Sequence, residues 1–189
     1  MTAFDYLSVL FSIVLGLSIT QLLAGFAGMV RGRARIAFYW PLPLQMLALF
    51  LINVQSWWAM FGMRYMREWN FFGFFIVLLQ VTFTYLMSAT ITPDPVGEES
   101  RLDQREFFFR EKNWFFIVSL GTLFSSLTKD FFVIPGPPGT ADIAAHGVFI
   151  TLILIGLFTT KDWVIKTVIP ITFLLYCAYI ALLFVQLPA

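Results

Sequence analysis

The chain has 189 residues, of which 59% are apolar, 19% aromatic and only 12% charged, with a formal net charge of +1. A mean hydropathy of +0.83 lies far outside the balance of a water-soluble domain, whose core needs a charged surface around it. Near-neutral charge and basic residues confined to short loops exclude a nucleic-acid-binding face, so the lipid bilayer is the expected partner.

A spanning helix needs about 20 mostly apolar residues. The sequence predicts six, over 4–30, 38–63, 71–92, 114–133, 143–160 and 163–187, making residues 1–189 an all-α, polytopic six-helix bundle in a single transmembrane domain. The first stretch lacks the basic start and small-residue cleavage site of a secretory signal and is expected to be retained. Along it small residues recur at every fourth position: Ser8, Ser12, Gly16, Thr20, Ala24, Gly28 and Gly32. A period of four follows one ridge of a helix, and small side chains on a ridge let a second backbone approach, which drives helix association in lipid. The stripe predicts tight packing within the subunit or between copies, with helix 1 near the centre of the bundle.

Polar side chains reappear at helical spacing on the next two helices. Gln45, Asn53 and Ser56 fall near one face of helix 2, and Gln80, Thr84, Ser88 and Thr92 lie four apart on helix 3. An unpaired amide in hydrocarbon costs several kcal/mol, so these faces are expected to turn inward, either bonding across helices or lining water. Asn53, Ser56, Gln80, Thr84 and Ser88 are thus candidates for a polar pathway or interhelical contacts among helices 1, 2 and 3.

The stretch RLDQREFFFREKNWFF at 101–116 precedes helix 4. Ser100 followed by Asp103 resembles a capping box, and Glu106 with Arg110 is a favourable i,i+4 pair. Phe107, Phe108 and Phe109 sweep about 200° of a helix surface. Together they predict a short amphipathic interfacial helix over 100–113 that anchors helix 4 at the headgroups. Beyond helix 4, Pro135-Gly-Pro-Pro-Gly139 reads as a rigid turn and Asp142 as the N-cap of helix 5.

Nine of the twelve basic residues flank one set of helix ends: Arg31, Arg33, Arg35, Arg101, Arg105, Arg110, Lys112, Lys161 and Lys166. Only Arg64, Arg67 and Lys129 flank the other. Basic short loops stay cytoplasmic, which predicts a bacterial-type inner membrane protein with both termini outside. Trp40, Trp114 and Trp163 then mark the inner interface, and Trp57, Trp58 and Trp69 the outer one. An outer charged cluster is expected from Asp5, Arg64, Lys129, Asp130, Asp142 and His146, beside Arg67 and Glu68. His146 has the chemistry of a pH switch or a metal ligand. Metal sites need several ligands and only acidic partners are at hand, so the expectation is a hydrogen-bonded histidine and no metal.

The single Cys177 excludes an internal disulfide. H-E-x-x-H, G-x-S-x-G and P-loop patterns are absent from the sequence, and residues 93–112 are too few to form a domain. Neither an enzyme nor a cofactor is expected. Two function classes remain. One is a homo-oligomeric channel or facilitator for a small polar solute or ion. The other is an accessory or scaffold subunit of a larger membrane complex, holding lipid, quinone or pigment against its aromatic surface.

Overall fold

The computed structural model describes residues 3–66, 69–94 and 101–183, so Arg67, Glu68 and the capping role read for Ser100 lie outside the described residues. The helices are α1 (Ala3–Arg31), α2 (Pro41–Met60), α3 (Phe71–Ile91), α4 (Gln104–Phe132), α5 (Thr140–Phe158) and α6 (Asp162–Leu183), with 3-10 turns at Arg33–Arg35 and Phe61–Tyr65. Among the described residues, six helices are long and apolar enough to cross a membrane. The bundle's exterior agrees: Phe71, Phe124 and Phe158 are 77%, 74% and 79% exposed. An exterior so apolar suits lipid and not water. The chain is a multi-pass membrane protein with an all-helical fold.

Helix α3 packs on α4, α4 on α5, α5 on α6, α6 on α2, and α2 back on α3. These five helices close into a ring. Helix α1 lies outside it, against α2 and α3, which corrects the expected central position. The reason is which face carries bulk. Phe11, Leu15, Ser18, Leu22 and Gly25 point inward, because large side chains offer more buried area and dispersion than a ridge of small ones. Close approach occurs at Gly25 alone on this face: a Cβ there would overlap the Thr92 methyl and lie 2.8 Å from Met46 Cε. The small ridge faces outward instead. Ser12, Gly16, Thr20 and Ala24 are exposed, Ser8, Gly28 and Gly32 half-buried, and a Cβ at Gly16 or Gly28 would meet nothing within 4 Å.

Helix α4 begins earlier than apolarity alone suggests. The Asp103 carboxylate caps it, accepting from the backbone N–H groups of Arg105 (2.8 Å) and Glu106 (3.1 Å). No proline lies between Gln104 and Phe132 to interrupt it. Residues 104–113 are therefore the first turns of α4 and not a separate interfacial helix. One face of them is buried, through Gln104, Phe107, Phe108 and Lys112. A two-residue parallel bridge pairs Ile36 with Leu102 and Ala37 with Asp103, joining the α1–α2 link to the α3–α4 link. Gln104 strengthens the joint, its Oε1 accepting from Tyr39 N at 2.9 Å.

The α5–α6 link is tied to the same place through Asp162. Its Oδ1 accepts from the Tyr39 hydroxyl at 2.8 Å and pairs with Arg105 Nε at 3.3 Å, while its Oδ2 meets Lys166 Nζ at 2.6 Å. Burial, and then the bond to Asp162, push the Tyr39 hydroxyl well above its ordinary range. The three links with their basic residues form one basic end. Lys112 adds a clasp: its buried ammonium donates to the carbonyls of Gly156 (3.4 Å) and Leu157 (3.0 Å). These are C-terminal carbonyls of α5, which lack helical donors, and a cation there also meets the negative end of the helix dipole.

Helix α5 starts at Thr140 with Gly139 at the N-cap and no side-chain cap. Asp142, expected as that cap, sits within the first turn and turns its carboxylate to Tyr179 and His146.

Candidate functional site

The five-helix ring encloses a cavity of about 360 Å³ lined by residues of α2, α3, α4, α5 and α6. Along α4 its wall runs from Phe115 to Asp130, which at 1.5 Å per residue is about 22 Å of a hydrocarbon core about 30 Å thick. On the basic side of the residues that line it, Leu42, Phe108 and Ile165 are fully buried in one core cluster. Towards the other end it reaches Ile134 in the α4–α5 turn. Polar groups are spaced along the wall, among them Gln45, Gln55, Ser56, Gln80, Ser126 and Thr172.

At the turn end the polar groups become a cluster. Asp130 stands next to Lys129, whose Nζ is 3.5 Å from its Oδ1. From α5, His146 places Nδ1 2.9 Å from the Asp142 carbonyl oxygen and 3.6 Å from its carboxylate Oδ1. From α6, the Tyr179 hydroxyl donates to Asp142 Oδ1 at 2.6 Å, and the Tyr176 hydroxyl to Gln55 Oε1 on α2 at 3.0 Å. The two tyrosine rings stack at 6.0 Å, each meeting Phe149 edge-on at 5.9 and 6.1 Å. Two carboxylates here stand beside one lysine and one histidine side chain.

No family model, curated protein or solved structure matches the chain. The chemistry is read from the site itself.

The structure divides the sequence candidates. Ser56 and Gln80 line the cavity. Thr84 and Ser88 do not: Ser18 of α1 bonds Ser88 Oγ at 2.8 Å and donates to the Thr84 carbonyl at 3.4 Å, so this polar face holds α1 to α3. Asn53 is fully buried, its Nδ2 donating to the Leu49 carbonyl at 2.8 Å and its Oδ1 without a partner among the described residues. A pathway among helices 1, 2 and 3 is thereby replaced by a cavity among α2 to α6. Of the six charged candidates, Lys129, Asp130, Asp142 and His146 converge. Asp5 lies on α1, which contributes no cavity residue, and Arg64 lies over the Phe61 ring at 3.6 Å and bonds the Tyr65 hydroxyl. Tyr176, Tyr179 and Gln55 are cavity residues that sequence reasoning misses. Two tyrosines three residues apart in an otherwise apolar helix carry the signal that would have found them.

Proposed function

We propose that the protein is a non-enzymatic facilitator that moves a small polar solute or ion across a bacterial-type inner membrane, with the basic end cytoplasmic and the cavity mouth outside. The observation that carries this reading is a cavity of about 360 Å³ within a ring of five helices, with polar side chains spaced along a mostly apolar wall and charged ones gathered at one end. Passage requires the floor to open, and the Tyr39–Asp162–Arg105 group is the polar latch that holds it shut.

Proteoliposome swelling tests the reading. Vesicles carrying the protein should take up glycerol or urea, or admit potassium under a gradient, faster than empty vesicles; equal rates for all three sink it. Orientation rests on the positive-inside rule. In a Cys177→Ser background, an impermeant maleimide added to intact cells should label Pro137→Cys and spare Ala34→Cys, and the reverse pattern overturns that orientation.

A further inference from the structure

We infer that the cavity mouth is a binding site for a first-row divalent metal ion, with Asp130, Asp142 and His146 as its protein ligands. The inference deepens the facilitator reading by naming the class of cation its mouth takes, and rests on that reading only for its link to transport. The three residues come from two helices, and one ligand atom from each lies within 4.8 Å of the others. An ion bound at about 2.1 Å draws ligand atoms to within roughly 3–4 Å of one another.

His146 provides the second, independent indication. It is 5% exposed and faces the cavity. Nδ1 is engaged by the Asp142 carbonyl, and its other ring nitrogen has no hydrogen-bond partner among the described residues. A buried imidazole held by a backbone carbonyl at one nitrogen and left open at the other is the usual condition of a metal-ligating histidine. Asp142 is likewise oriented from behind, because Tyr179 occupies Oδ1 and leaves Oδ2. The mixed set decides the class. All-oxygen cages suit magnesium and calcium, whereas imidazole with carboxylates favours zinc, iron, manganese or nickel. Water in the cavity supplies the remaining coordination.

Every charged or titratable side chain around the site bears on its affinity. Lys129 and Asp130 face it from α4, Asp142 and His146 from α5, Tyr176 and Tyr179 from α6, while α2 and α3 contribute the neutral Gln55 and Gln80. Lys129 competes for the Asp130 carboxylate. Its removal should therefore tighten binding, an effect no purely structural role for the cluster produces.

The test uses the full chain in detergent, stripped with a chelator and titrated with zinc by calorimetry and with cobalt by visible absorption, magnesium being the control. One ion per chain is expected, with magnesium far weaker. Asp130→Asn and His146→Gln should each weaken zinc about tenfold or more, Tyr179→Phe about tenfold, and Lys129→Met should strengthen it. Melting without metal identifies any variant that fails to fold, and the gain expected of Lys129→Met does not depend on those variants. Absence of saturable zinc binding by the unaltered protein overturns the inference, as does binding unchanged by Asp130→Asn, His146→Gln and Lys129→Met alike. Zinc binding without swelling flux would leave the metal site standing and remove the facilitator reading; flux without zinc binding would do the opposite.

Discussion

Gln80→Leu should lower solute flux in proteoliposomes about tenfold, equivalent to about 1.4 kcal/mol of barrier, and leave the melting temperature nearly unchanged. Asn53→Leu should do the reverse. Gln80 lies on the cavity wall, and its amide bonds no described residue, so it is available to a passing solute or to water. Losing one hydrogen bond to a desolvated solute costs about 1–3 kcal/mol. Asn53 is equally polar but lies outside the cavity, with a buried Oδ1 lacking a partner among the described residues. Its Nδ2 bonds a carbonyl four residues back, one that the helix ladder already uses. Leucine there removes an unsatisfied acceptor and should stabilise the protein by about 1 kcal/mol, some of the gain being lost to added bulk. Full flux in Gln80→Leu, or its loss in a folded Asn53→Leu, would contradict the assignment of the wall.

The phenylalanine run provides the second large effect. Phe108→Ala should destabilise the protein by about 3–5 kcal/mol, the usual range for emptying a buried aromatic site. Phe108 is fully buried, its ring 5.9 Å from that of Tyr39 and 5.8 Å from that of Phe109. It packs with Leu42 and Ile165 in the larger core cluster, so its loss weakens the cavity floor and the joint between three links together. Phe107, 8% exposed, should cost somewhat less, and the half-buried Phe109 least. Thermal unfolding of the three alanine variants in detergent checks the order. An interfacial helix lying in the headgroups would show no such ranking, and a Phe109→Ala variant as damaged as Phe108→Ala would argue for it.

The same contrast separates what is legible in the sequence from what is not. The six spans are legible from unbroken apolar length and from charges gathered at their ends, signals strong enough to survive any packing. Which face turns inward is not legible in a helix that is apolar nearly all round, because it has no polar side to distinguish lipid from protein. Helix α1 illustrates it: the regular ridge from Ser8 to Gly32 draws the eye, whereas the less regular Phe11, Leu15, Ser18, Leu22 and Gly25 make the contact. Charges near helix ends read as topology markers, which conceals Lys112 clasping α5 and Asp162 joining three links. Such partners are more than 40 residues apart in sequence, out of reach of local pattern. The same holds for the mouth. Lys129, Asp130, Asp142 and His146 are legible as a group because one short turn joins their helices, but Tyr176 and Tyr179 arrive from α6 by tertiary packing alone.

Thiol accessibility tests the central claim, that the ring encloses a space open to water from the end opposite the basic one. In a Cys177→Ser background, Ser56→Cys and Ser126→Cys place a thiol on the cavity wall, whereas Ser18→Cys and Ser88→Cys place one in the dry α1–α3 seam. A small water-soluble methanethiosulfonate, applied to intact cells, should modify the first pair and spare the second. Protection of both wall positions, or equal reaction at all four, would contradict it.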